Sequence, residues 1–229
     1  MTNGERDSEV LALQIGRPLR AASKVLRRCN LGLPIVAEVP PILDTGEPFP
    51  TRYWLTCPLA HRRIARLEGE GGVRDTQAKI DADPELSKAV EAAHARYARD
   101  REALLPAVTA LSGTALSRER TAGERTAVTA LSGERTAGTA LCGERTAGER
   151  TAGTAQPRPS GGVGGSSGGV KCLHAHYADS AAGNDNPIGR DLHGAIGEPR
   201  CQAPCVAVVD GKLQRNPDWR EPTDDDAPR

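Results

Sequence analysis

Residues 48–58 read PFPTRYWLTCP, and the reading of this run decides the fold. It holds Phe49, Tyr53 and Trp54, in a chain with one phenylalanine, three tyrosines and two tryptophans. Aromatic side chains remove roughly 150–250 Å² each from water on burial, so this short segment anchors the core. Phe49 to Thr56 predicts a strand, with Pro50 near its start, where a missing N–H is tolerated. Upstream, Leu33 to Val39 is a second apolar, β-branched run. Asp44-Thr45-Gly46-Glu47 lies between them with the composition of a turn, so the two runs are expected to form an antiparallel hairpin. Asp44-Thr45-Gly46 also has the form of an aspartic-protease triplet. That chemistry needs two facing aspartates and the chain has one copy, so the turn reading stands.

Helices are expected on the C-terminal side. Pro58 suits a first helical turn, and Ala60, Ile64 and Leu67 fall on one face before the glycines at 69, 71 and 72. A shorter helix is expected over Arg74–Ala82. Asp83 reads as the N-cap and Pro84 as the first residue of a longer helix, in which Leu86, Val90, Ala93 and Tyr97 recur at helical spacing up to Pro106. Lys171–Ala182 reads as a helix ended by Gly183, and Val206–Leu213 as a hairpin around Asp210-Gly211.

Between these parts the sequence repeats every five residues from Thr109 to about Arg158, in units such as TALSG and ERTAG. A five-residue step turns a helix by about 140°, so the repeat builds no apolar stripe, and glycine ends most units. It is read as disordered, with Cys142 incidental, and the Gly/Ser run 160–169 as its flexible continuation. The expected fold is α+β: a small antiparallel sheet with three to four packed helices, interrupted by a disordered low-complexity insert. The expected boundaries are a disordered N-terminus over 1–13, one domain formed by 14–106 and 170–221, the repeat and linker over 107–169, and an acidic disordered tail over 222–229.

Thirty basic and thirty acidic residues give a formal net charge of zero, so there is no electrostatic case for nucleic acid. Arg20, Lys24, Arg27 and Arg28 are read as a solvated face, because no aromatics are interleaved with them. No apolar run is long enough to span a bilayer, and the first ten residues lack the apolar core of a signal peptide. A cytoplasmic location follows, and the six cysteines are expected to be reduced thiols or metal ligands.

Cys172 and His176 would lie one helical turn apart, with Asp179 extending the row. Cys29 precedes the first strand and Cys57 closes the second. Together Cys29, Cys57, Cys172 and His176 could form a Cys₃His zinc site, with His174 as a substitute for His176. A second reading uses the same cluster as an enzyme or redox centre. Cys57 at a helix N-terminus would have a lowered pKa, His174 or His176 would act as its base, and Cys172 would stand nearby. A third reading makes the cysteines small buried hydrophobes and the histidines partners in core hydrogen bonds. Cys201 and Cys205, spaced CxxxC around Pro204, read as incidental surface thiols. The glycines before Lys171 lack the Gly-Lys-Ser/Thr ending of a phosphate loop, which leaves a linker.

The stretches GRPLR (16–20), PFPTRYWLTCP (48–58), RLE (66–68), DPEL (83–86), VKCLHAHYAD (170–179) and NPIG (186–189) occur in an order that resembles the bacterial family called domain of unknown function 501. The resemblance covers roughly residues 14–105 and 161–221, and the pentamer region stands where the family has a short connection. It implies a bacterial cytosolic protein and brings no activity with it. The functional expectation is a non-catalytic domain, stabilised by metal, that acts through a protein partner; the alternative is an enzyme using Cys57, Cys172 and His174.

Overall fold

In the computed structural model the strand expected within 49–56 is Tyr53–Leu55 (β3), and it pairs antiparallel with Pro34–Glu38 (β2). The register sets Val36 opposite Leu55 and Glu38 opposite Tyr53. Lys24–Arg28 (β1), a strand the sequence reading passed over, pairs with the other edge of β2. Its three charges and alternating exposure suit an edge strand, with Lys24, Leu26 and Arg28 on the exposed side. The structure describes residues 3–105 and 158–222, and these two stretches belong to one compact unit. The expectations for the pentamer repeat, for Cys142 and for residues 223–229 of the tail lie outside the described residues.

The described residues form six helices and two antiparallel sheets, an α+β fold. Helix α2 spans Pro58–Gly69 and α3 spans Gly72–Ala82. Helix α4 spans Pro84–Glu102, and Asp83 caps it by accepting the amides of Glu85 and Leu86 at 2.9 and 3.1 Å. Helix α5 (Leu173–Ala181) packs against β3, α2 and α6 (Pro187–Ile196). A second hairpin, β4 (Val206–Val209) with β5 (Lys212–Arg215), turns at Asp210 and Gly211, both at positive φ as such a two-residue loop requires. Ile35, Val36, Leu59, Ile64, Tyr97 and Tyr177 are at the centre of the main core. Tyr97 meets Tyr53 edge to face at 5.7 Å, and its hydroxyl accepts the amide of Arg52.

Two expectations are corrected. The first 13 residues were expected to lack structure, yet Asn3–Ile15 is a helix, α1. Its Val10, Leu11 and Gln14 share one buried face that packs on β2, β4 and β5. Arg215 of β5 donates to the carbonyls of Leu13 and Gln14, which supplies partners at the helix C-terminus. The polar majority of this segment hides a stripe that only tertiary packing completes.

The Gly/Ser run was expected to be a flexible linker, yet Val163, Gly164 and Ser166 are buried and Val163–Gly165 form a 3₁₀ turn. Arg101, itself buried, donates to the carbonyls of Pro50 and Gly161 at 3.2 and 2.7 Å. The glycines are needed where they stand. Gly164 sits at φ +63°, and a Cβ there would lie 2.9 Å from the Cβ of Ala175 on α5. A linker and a tightly seated loop share the same composition, and packing alone separates them.

Gly164→Ala is therefore expected to destabilise the protein by about 1–3 kcal/mol in urea unfolding, from strain and crowding together. Gly194→Ala in α6, where nothing lies within 4 Å, should be neutral or stabilise by a few tenths up to about 1 kcal/mol. Equal effects at the two sites would contradict a packed loop.

Candidate functional site

Helix α5 buries seven of its residues, including His176 and Asp179. Buried polar groups need partners, and those of Asp179 come from three directions. Arg96 of α4 and the Asn186 side-chain amide donate to Oδ2 at 2.5 and 2.9 Å, and Asn184 donates to Oδ1 at 3.1 Å. Burial pushes the Asp179 pKa up, and its Asn186 and Arg96 partners reverse only part of that. Asn186 is also the N-cap of α6, accepting the amide of Gly189 at 3.0 Å, and its amide group lies 3.2 Å from His176 Nδ1. The NPIG motif thus serves as a helix cap and as a bridge back to α5.

His94 of α4 faces His176 edge-on, with ring centroids 5.6 Å apart. Its Nδ1 accepts the amide of Val163 at 2.9 Å, which places the ring proton on Nε2, and Nε2 donates to the carbonyl of Gly169 at 3.0 Å. One imidazole thereby holds both ends of the glycine loop, and it does so in the neutral form. Burial pushes the pKa of His94 down, and burial pushes that of His176 down to about 4. His176 Nε2 is buried and has no hydrogen-bond partner among the described residues. Sequence reasoning did not single out His94; its place two residues before Arg96 on α4 carries no motif.

A second polar group joins α2 to α5. Glu68 accepts the amide of Leu173 at 2.5 Å and lies 3.1 Å from His174 Nδ1. His174 Nε2 donates to the carbonyl of His61 at 3.2 Å, and the two rings meet at a tilt of 41° with centroids 4.3 Å apart. Burial acts to raise the Glu68 pKa, but the His174 contact and the amides of Leu173 and His174 outweigh it, so the carboxyl sits below its ordinary value. Glu68 therefore occupies the N-terminus of α5, the place an anion would take. Lys171 is turned to the carbonyl of Gly164.

The residues expected to share one site are divided. Cys57 is the N-cap residue of α2, whereas Glu68 in its last turn touches the residue after Cys172. At about 1.5 Å of rise per residue, the length of α2 separates Cys57 from Cys172. His176 faces α4 and α6 instead, and His174 faces His61 and Glu68. The lowered pKa expected for Cys57 is also reversed: burial pushes the thiol up to about 12, and its side chain makes no cap hydrogen bond at the start of α2. A thiolate nucleophile at Cys57 with a histidine base is not what these contacts build. Among the described residues, no group of three or more His, Cys, Asp or Glu is set to hold a metal ion. No described helix is long and apolar enough to cross a membrane.

The fold and these contacts define an α+β protein in which a glycine-rich loop and a buried helix are tied together through histidine, asparagine and carboxylate side chains. The sequence model of the family described as "Protein of unknown function (DUF501)" matches residues 25–193, more than half of the chain, and the chain belongs to that family. No curated protein and no solved structure matches the chain.

The buried histidine makes stability depend on pH. The His176 pKa is about 4 in the folded protein against an ordinary 6.5, so folding favours the neutral ring. The stabilisation is fully present above pH 6.5 and is lost as pH falls from there through 4. The full loss is roughly 3 kcal/mol. Asp179, with its raised pKa, works in the opposite sense and gains stability on acidification. Urea unfolding between about pH 7.5 and pH 4.5 should show His176→Gln losing much of the acid-side slope of the parent chain. Parallel slopes for the two proteins would show that His176 is not the group responsible.

Proposed function

We propose that this chain is a non-catalytic domain of the bacterial cytosol that acts through a protein partner. The observation that carries this reading is the use made of its reactive side chains. His94 spends both ring nitrogens on the backbone of the glycine loop, Asp179 is bonded to Arg96, Asn184 and Asn186, and Glu68 caps α5. Groups with these commitments position backbone; a general acid or base needs a ring nitrogen or carboxyl oxygen turned toward a substrate. The bacterial and cytosolic parts of the reading rest on the family resemblance.

Two variants test it in a strain deleted for this chain. His174→Gln and Cys172→Ser remove the groups that the enzyme reading would need beside Cys57. Restoration of the strain's growth is expected to follow the amount of folded protein, measured by circular dichroism and Tm, for both variants alike. A variant that folds to the wild-type level and yet restores nothing would overturn the non-catalytic reading.

A further inference from the structure

His94 ties the glycine loop to α4 by two bonds of unlike chemistry. At one end the Val163 amide donates to Nδ1 at 2.9 Å; at the other, Nε2 donates to the Gly169 carbonyl at 3.0 Å. A backbone N–H can only donate, so the first bond needs Nδ1 without a proton. The second needs a proton on Nε2 and survives in either charge state of the ring. A second ring proton has Nδ1 as its only place. It turns that nitrogen from acceptor into donor and sets two N–H groups against each other. Rotation of the ring gives no escape, because an imidazolium has no acceptor left.

The loop is arranged so that this one bond matters. Gly162 makes room for the ring, since a Cβ there would collide with His94 Nδ1. The 3₁₀ turn Val163–Gly165 lies on α5, with Val163 1% exposed and Gly164 against Ala175. Among the described residues, Val163 supplies the one amide of residues 161–166 that bonds outside the loop. Beyond Gly169, the Val170 amide donates to Gln77 Oε1 at 2.9 Å, a bond with no titrating group. The ring of His94 is half-buried, so water reaches it. From α5 it is faced by His176, edge-on, and by the charge of Asp179; from α3 by the uncharged Gln77. Of the nearby cations, Lys171 is turned to the Gly164 carbonyl, Arg101 to that of Gly161, and Arg96 to Asp179. Burial pushes the His94 pKa down, and the Gly169 carbonyl and Asp179 act against it.

We propose that His94 is an acid-sensitive latch: protonation of Nδ1 releases Val163 and lifts the turn 163–165 from α5, while the Gly169–Val170 end stays attached. The open turn uncovers Ala175 and the side of α5 that it now covers. The direction of the pH effect follows from the two states. With the turn open the ring titrates near the ordinary 6.5, and with it closed the ring titrates lower. The closed turn is therefore fully favoured above pH 6.5 and loses ground as pH falls through the lower value. The latch goes beyond the non-catalytic reading and does not depend on it.

Backbone amide exchange of the full chain, followed by NMR and corrected for the intrinsic pH dependence of exchange, reads this opening. Between about pH 7.5 and about pH 5.0, protection at Val163 is expected to fall by up to about thirtyfold relative to protection at Val170. The ratio of two amides in one loop cancels any global loss of stability caused by His176. His94→Asn keeps an acceptor near the Nδ1 position and cannot titrate, so its ratio should not change with pH. A constant ratio in the parent chain, or an equal fall in His94→Asn, overturns the latch. Should the variant fail to fold, the imidazole ¹⁵N shifts of the unaltered chain decide. Nδ1 is expected to be bare at neutral pH and to gain its proton over the range in which Val163 loses protection. A proton on Nδ1 at neutral pH, or loss of protection over a different range, overturns it.

Discussion

The constraint on which the rest of the structure depends is the burial of α5 together with its polar residues. A helix covered on all sides would ordinarily be apolar all round, yet this one carries His176 and Asp179 inward. Left without partners, the Asp179 carboxylate alone would cost several kcal/mol. The surrounding elements can be read as answers to that cost. Arg96 fixes the rotation of α4 against α5, Asn184 and Asn186 fix the start of α6, and Glu68 closes the exposed amides at the α5 N-terminus. His94, drawn in edge-on against His176, carries the arrangement outward to the glycine loop. The bonds of Arg96, Glu68 and His94 join elements far apart in sequence, so the polar core specifies tertiary arrangement more than it adds net stability.

This division explains what the sequence discloses and what it conceals. Local signals are legible because their physics is local. Pro58 and Pro84 start helices, Asp83 caps one, Asp210-Gly211 turns a hairpin, and the aromatic run at 49–54 does contribute β3. The missed elements are those whose meaning is set at long range. Strand β1 carries three charges in five residues and is held by pairing with β2. Helix α1 is polar except for the stripe that meets the sheet. Helix α6 was passed over because it is short, although Asn186 and Pro187 mark its start locally. Gly161 to Gly169 have a linker's composition, and nothing local reports that His94, Arg101 and Gln77 reach them.

The site residues follow the same rule. Helical spacing correctly groups His176 with Asp179 on α5, but it also suggested Cys172 as a neighbour of Cys57, and spacing within a helix says nothing about which end of another helix it meets. Helix α5 has its N-terminus at the last turn of α2, with Leu173 on Glu68, and this sends Cys172 away from Cys57. Cys57 instead follows β3 with its amide on the Ile35 carbonyl of β2. Asn30 pairs with Cys201 across 171 positions, a contact that no local spacing announces.

The join between the two described stretches is subject to the same economy. Glu102, at the end of α4, bonds Arg158, and Arg101 beside it holds Gly161. Residues 102 and 158 thus lie side by side at the edge of the fold. His94 and Arg101 hold the glycine loop that follows by its backbone, through Val163, Gly169 and Gly161. A loop held by its backbone has no freedom to move away from α5, which is why a methyl group at Gly164 would press on Ala175.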